Sequence, residues 1–203
     1  MNGALPLPFA LVGGGEVRAE ARLVQRLRDG EMAALGEAYD AHHVHVRAFA
    51  QRMLGDDGAA EDLVQETFLE LPRAIGRFRE QAALRTFLIS IAVNHARHHV
   101  RAAARRRAAA ARYGHEPLPM GSGPAEALER AQLASQLMRA LDALPIEQRA
   151  AIVLCDIEER TSVDAGEIVG APEGTVRTRL FHARRKLAEA LAELGSERAK
   201  GGR

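Results

Sequence analysis

Apolar residues recur three and four positions apart along almost the whole of this chain, the period of a helix with one buried stripe. No stretch alternates β-branched residues at the period of two that a half-buried strand needs. The expectation is an all-α fold, and the useful question is where the helices break. Residues 20–54 read as two helices parted near Asp29-Gly30. Gly55-Asp56-Asp57-Gly58 reads as a turn before an acidic helix from about 59 to 71, whose end Pro72 and Gly76 disturb. A long helix follows from about 83 to 111, with Leu84, Phe87, Leu88 and Ile91 on its buried face. The stretch YGHEPLPMGSGPAE has the glycine, proline and serine content of a flexible linker and divides the chain in two. Beyond it come a helix ending at Leu144, one started by Pro145 and running to about Glu158, a short one near 162–169, and a last, longer one. The organisation expected is two small helical domains, 20–112 and 126–195, joined by a linker at 113–125. Residues 1–19 read as a disordered extension and 196–203 as a disordered tail.

Composition narrows the function classes. Of 203 residues, 47% are hydrophobic and 27% charged, enough apolar side chain for a real core. Cys155 is the single cysteine, which leaves no internal disulfide and no cysteine-rich metal cage, and suits a cytoplasmic setting. No apolar run approaches a membrane span, and the proline-interrupted N-terminus lacks the basic start of a signal peptide. Net charge is only +1, but charge is unevenly distributed. Acid collects at Asp56, Asp57, Glu61, Asp62, Glu66 and Glu70. Arginine collects between 97 and 112 and again between 177 and 185. No glycine-rich phosphate loop, convergent carboxylates or nucleophile elbow points to an enzyme, and no cofactor is expected.

The strongest local signal lies at 162–187. Gly170-Ala171-Pro172 separates two helices: Gly170 suits the left-handed residue that ends the first, and Pro172 and Glu173 suit the first turn of the second. This is the grammar of a helix-turn-helix. At about 100° per residue, Val176, Leu180, Ala183, Leu187, Leu191 and Leu194 share one stripe, while Thr178, Phe181, His182 and Arg185 lie opposite. Arg177 and Arg184 flank one side, Arg179 and Lys186 the other. A phenylalanine can touch a thymine methyl in a major groove, arginine can grip guanine, and flanking arginines can hold phosphates. A solvated amphipathic helix with Phe181 packed on a neighbour is the plainer alternative.

Two further faces stand out. In 61–71, Leu63, Val64, Phe68 and Leu71 make a core face, and Asp62, Gln65, Glu66 and Leu69 an outer one. An apolar Leu69 within an acidic rim suits a basic partner helix, though a solvated acidic face has the same pattern. In the long helix Asn94 interrupts an apolar run, and Phe78 and Phe87 lie on either side of the preceding loop, close to arginines, a combination used to stack single-stranded DNA. His42 with His45, and His95 with His98 and His99, have metal-ligand spacing. No cysteine or acid in the pattern completes either set, so no metal is expected.

Taken together, Asp62-Leu63-Val64-Gln65-Glu66-Thr67-Phe68, Arg77-Phe78-Arg79, Leu84-Arg85-Thr86-Phe87-Leu88, Ile91-Ala92-Val93-Asn94, Leu141-Asp142-Ala143-Leu144-Pro145 and Gly174-Thr175-Val176-Arg177-Thr178-Arg179-Leu180 resemble the extracytoplasmic-function (ECF, group IV) sigma factors of the sigma-70 family. The blocks occur in the family's order over about 20–112 and 126–194. The resemblance implies that 20–112 is sigma region 2 and 126–195 region 4. Asp62, Gln65, Glu66 and Leu69 would dock on the β′ clamp helices of core RNA polymerase. Phe78, Ile91, Asn94 and His98 would take the melted minus-ten element, with Arg101 and Arg105 on its backbone. Thr175, Arg177, Thr178, Arg179, Phe181, His182 and Arg185 would read the minus-35 element of promoter DNA. Region 4 would also meet the β flap, and an anti-sigma factor would hold the chain inactive.

The chain departs from the family pattern at several points. Leu71 and Phe87 stand where tryptophan is usual, and His98 where aspartate is common. Pro72 should shorten the docking helix. Arg160, Ser162, Ala165 and Gly166 replace bulkier or better helix-forming residues, so the first helix of the helix-turn-helix should pack weakly. A helix-turn-helix regulator that recruits no polymerase, and a sigma-like protein that binds polymerase or an anti-sigma protein but no promoter, are the alternatives.

Overall fold

The computed structural model describes residues 14–80, 82–113 and 136–201, and every regular element among them is helical. The elements are α1 (Gly14–Arg28), α2 (Met32–Leu54), α3 (Asp57–Ala74) with a 3-10 turn at Ile75–Arg77, and α4 (Leu84–Tyr113). After the undescribed residues come α5 (residues 136–142), α6 (Ile146–Ile152) running into a π-helical turn at Val153–Ile157, α7 (Ser162–Val169) and α8 (Glu173–Gly201). Helices α2, α3 and α4 pack against one another with α1 laid on α2. Phe49, Met53, Leu63, Leu71, Leu84 and Leu88 are wholly buried there. Each contributes about 1.5–3 kcal/mol by leaving water. In the second half α6, α7 and α8 close around Leu154, Ala165, Val176, Leu180 and Ala183.

Several boundaries differ from the sequence expectation. The acidic helix begins at Asp57, not 59, because the Asp56 carboxylate accepts the Ala59 N–H at 2.7 Å and caps it there. It also runs through Pro72 to Ala74, so the proline does not shorten it. Pro72 is exposed in the last turn and removes a single donor, and the Ile75 N–H still reaches the Leu71 carbonyl beyond it. Helix α1 starts at Gly14, inside the stretch expected to be a disordered extension, and α8 continues to Gly201 through most of the expected tail. Of the expected linker, Tyr113 belongs to α4 and the rest lies outside the described residues. On the α8 stripe, Val176, Leu180 and Ala183 are buried, Leu187 is half-buried and Leu191 is exposed; the Leu194 side chain lies outside the description. Phe87 on α4 is only half-buried, whereas Ile89, Ala92, Val93 and Ala96 join its core face.

The helix expected to pack weakly, α7, is held by specific contacts. Thr161 and Asp164 form a reciprocal capping box at its start. Gly170 closes it in the left-handed conformation at φ 68°. A side chain at Gly166 would put Cβ 2.6 Å from the Ala171 carbonyl oxygen, while the Ala171 N–H bonds the Gly166 carbonyl at 2.9 Å. The missing methyl is therefore what lets the turn fold back tightly on the helix, and Gly166 is not a defect.

Candidate functional site

The outer face of α3 is as the pattern proposed. Leu69 is 72% exposed, Asp62 and Gln65 are exposed, and Glu66 is half-exposed. Thr67 is wholly buried and turns its hydroxyl to the Leu63 carbonyl, a satisfied polar group that the face assignment missed. Glu66 is not free. One of its carboxylate oxygens lies 2.9 Å from His99 Nε2 and 3.3 Å from His95 Nδ1, so α3 supplies the acid that the histidine spacing on α4 lacked. The His99 contact is a hydrogen bond and the His95 contact a close charge-pair approach, and among the described residues no group of three has the arrangement to hold a metal ion. His42, on α2, is half-buried. Burial, opposed by Glu20 and reinforced by His45 and Arg85, pushes its pKa below the ordinary 6.5.

The corner between α3 and α4 carries the second group. Phe78 and Ile91 are buried, each only 6% exposed, so neither stands on the surface as a stacking platform. Phe78 packs on Phe87 with ring centroids 5.1 Å apart. Asn94, His98, Arg101 and Arg105 are exposed along α4. The loop leading into α4 is fixed by residues that no local pattern flagged. Arg28 of α1 donates to the Phe78 carbonyl at 2.7 Å and to Glu80 at 2.6 Å; Glu80 is held at φ 55°, which costs a non-glycine residue on the order of 1–3 kcal/mol. Glu20 accepts the Leu84 N–H at 2.9 Å and caps α4. Their partners lie 50 to 64 positions away in sequence.

On α8, Phe181 is 65% exposed and, among the aromatic rings of the described residues, meets the edge of His182 at 5.5 Å. It does not pack into the core. Thr175, Thr178 and Arg185 are exposed and His182 is half-exposed, with the Thr178 hydroxyl turned back to the Gly174 carbonyl. Arg177 pairs with Glu173 at 2.5 Å and Arg185 lies 3.8 Å from Glu189, both within the exposed helix, where such pairs hold side chains only loosely. Arg179 is drawn inward to within 3.5 Å of Glu147, so it does not share the open face. Arg184, expected to flank the DNA side, donates twice to Asp156, at 2.9 and 2.6 Å, and that carboxylate pushes the guanidinium pKa up. Cys155 is half-buried, and burial raises its thiol pKa, the opposite of an activated nucleophile. No helix among the described residues is long and apolar enough to cross a membrane.

An acidic face around the exposed Leu69, a phenylalanine pair beside an arginine-rich helix, and a capped helix-turn-helix with Phe181 exposed on its second helix are combined in one helical chain, and the family signatures it matches define a transcription factor of the sigma-70 type. The signature described as Sigma-70 region 2 matches residues 38–106, and that described as Sigma-70, region 4 matches residues 134–187. The chain is 30% identical over 189 residues to the ECF RNA polymerase sigma factor SigM of Mycobacterium tuberculosis, covering 93% of each chain. It is 34% identical over 175 residues to the ECF RNA polymerase sigma factor SigE of Mycolicibacterium smegmatis, covering 84% of this chain and 68% of the relative. Among solved structures, the sigma factor RpoE bound to the anti-sigma factor NepR from Bartonella quintana aligns with a TM-score of 0.57 at 26% identity, over 77% of this chain and 96% of that one. CnrH, solved with the cytosolic domain of CnrY, shares the fold at a TM-score of 0.60 and 24% identity, over 86% of this chain and 98% of that one. The chain belongs to the ECF sigma factors of the sigma-70 family, non-enzymatic initiation factors of bacterial RNA polymerase.

Proposed function

We propose that the chain directs RNA polymerase to a dedicated set of promoters through three separate surfaces. Domain 20–112 acts as region 2 and domain 126–195 as region 4, joined through 113–125. Leu69, ringed by Asp62, Gln65 and Glu66, docks on core polymerase at the β′ clamp helices. The corner carrying Phe78, with Asn94, His98, Arg101 and Arg105 along α4, takes the melted minus-ten strand. Phe78 and Ile91 line and support that corner, since both are buried. Thr175, Arg177, Thr178, Phe181, His182 and Arg185 read the minus-35 duplex from α8, and Arg179 joins them once released from Glu147. The single observation that carries the reading is Phe181: an aromatic ring left 65% exposed beside arginines, on the second helix of a capped helix-turn-helix, fits a groove better than it fits water. The likeness to a sigma factor solved with its anti-sigma protein supports a similar inhibitor for this chain, and its place of action would be the cytoplasm.

Run-off transcription tests this. Purified chain is added to sigma-free bacterial core polymerase with a pool of promoter fragments. The expected result is a set of discrete transcripts that fall about 5- to 150-fold with Asn94→Ala or Arg177→Ala, each contact being worth on the order of 1–3 kcal/mol. Core binding that survives these changes but weakens with Asp62→Ala completes the result. Binding to core without any promoter-specific transcript would reduce the chain to a polymerase-binding protein.

A further inference from the structure

Every arginine side chain described on α8 already faces a carboxylate. Arg177 pairs with Glu173 and Arg185 with Glu189 along the helix itself. Arg179 is drawn to Glu147 of α6, and Arg184 to Asp156 of the π-helical turn. The two pairs within α8 stand in water on both sides and hold only loosely. Asp156 is different. One of its oxygens accepts from Arg184 Nε at 2.9 Å and the other from a terminal nitrogen at 2.6 Å. That two-pronged grip is the one a DNA phosphate would take from the same guanidinium. The acid is the more buried partner, at 31% exposure against 61% for the arginine.

The segment that carries Asp156 is a fixed element. The turn Val153–Ile157 is closed by the Glu158 N–H on the Val153 carbonyl at 2.9 Å, and Val153 and Leu154 anchor it in the core. Glu159 follows at φ 54°, a strained conformation for a residue with a side chain. Such widened turns recur at functional sites. On α8, Arg184 shares a flank with Arg177, two turns away, and lies one turn beyond Phe181. An unpaired arginine there would grip the backbone of any duplex, because phosphate contacts add affinity without reading sequence.

We propose that Asp156 is a specificity-determining residue of region 4. By occupying Arg184 with both oxygens it withholds that cation from the phosphates of arbitrary DNA. Non-specific binding is held down, and the residues that face base edges decide where the helix settles. A duplex competes for Arg184 only where its other contacts to α8 are already good. This rests on the assignment of α8 to duplex DNA. Glu147 acts on Arg179 in the same sense, but it also bonds Arg97, so Asp156 is the cleaner position to test.

Two measurements on the full chain test this, one with DNA and one without. Fluorescence anisotropy follows binding to a mixed-sequence duplex over a range of salt. Asp156→Asn keeps the side-chain volume and one acceptor but removes the charge. It should bind about three- to tenfold more tightly at about 0.1 M salt, and the slope of log K against log salt should steepen by about 0.9, the signature of one added phosphate contact. Adding Arg184→Gln should return both to the unaltered values. Asp156→Glu, which keeps the charge, should leave the slope as it was. Asp40→Asn, the same loss of charge at an exposed position on α2, should leave the slope as it was too. Without DNA, nitrogen-15 NMR should show the Arg184 Nε–H exchanging slowly with water in the unaltered chain and quickly in Asp156→Asn. Fast exchange in the unaltered chain overturns the proposal. So does an unchanged slope in a folded Asp156→Asn chain, or a gain that survives Arg184→Gln and therefore belongs to the repulsion of Asp156 itself. Slow exchange with no salt-dependent duplex binding by any of these chains would instead fail the assignment of α8 to DNA, and the proposal would fall with it.

Discussion

The α1–α4 bundle completely buries Phe49, Met53, Leu63, Leu71, Leu84 and Leu88, whereas among the described residues of the second half Leu141 and Leu154 are the largest apolar side chains buried to about that degree. Long helices give the first half a deep core. The second half uses helices of seven and eight residues, α6 and α7, below the length at which helices are stable alone. It compensates with contacts of fixed geometry: the Thr161–Asp164 capping box, the close turn over Gly166, and the Arg149 guanidinium, only 2% exposed, held by Asp142 and the Arg52 carbonyl. A half built on area tolerates changes of shape, because the lost area is spread over many neighbours. A half built on a few polar and steric fits fails at single positions.

The largest test of that contrast is Arg149→Ala. Removing one partner of a buried ion pair costs about 3–5 kcal/mol, and here the lower end applies because Asp142 keeps 41% of its side-chain surface in water. Urea titration followed by circular dichroism should show the second half melting first, in a separate transition. A single transition at the unaltered midpoint would mean that the two halves share stability more evenly than their cores suggest.

Gly166→Ala comes next. Alanine favours a helix over glycine by about 1 kcal/mol, but here its methyl would meet the Ala171 carbonyl oxygen at 2.6 Å. The overlap wins, and a net loss of about 1–3 kcal/mol is expected, visible as a lowered Tm. A raised Tm would show that the turn relaxes freely and that the glycine is incidental.

The smallest effect belongs to the first half and depends on pH. His42 is neutral by preference in the fold, its pKa held below 6.5 chiefly by burial. Protons therefore bind the unfolded chain more readily, and stability rises with pH across the window from the lowered folded value to 6.5, with the full contribution present above it. His42→Gln should flatten that part of the slope in urea midpoints measured from pH 5 to 8. An unchanged slope would remove His42 from the account.

Much of the candidate site is readable in the sequence. The core face of α3, with Leu63, Val64, Phe68 and Leu71 inside and Leu69 outside, follows from helical spacing alone, as does the opposition of Val176, Leu180 and Ala183 to Phe181 on α8. Helix α7 spans the residues expected, 162–169, because Gly170 and Pro172 mark its end in the chain itself. Less readable was anything that joins distant residues. Arg28 and Glu20 steady the loop and the start of α4, and Glu66 bridges His95 and His99, yet no local pattern marks these pairs. Gly166 and Pro72 were misjudged for the same reason. Propensity prices a residue against an average helix, whereas their cost here depends on what lies against them.

By itself the sequence determined that this chain is helical, where its helices turn, which faces are wet, and to which family of initiation factors it belongs. Those properties are set by neighbours within a turn or two, and the 3.6-residue repeat writes them directly into the order of side chains. Only the tertiary structure decided that Arg97 faces Glu147, that Arg179 is drawn away from the outer face of α8, and that α7 lines the cavity beside Phe78. Charge and burial at such seams depend on which surfaces meet, and a one-dimensional period carries no information about what lies across a gap.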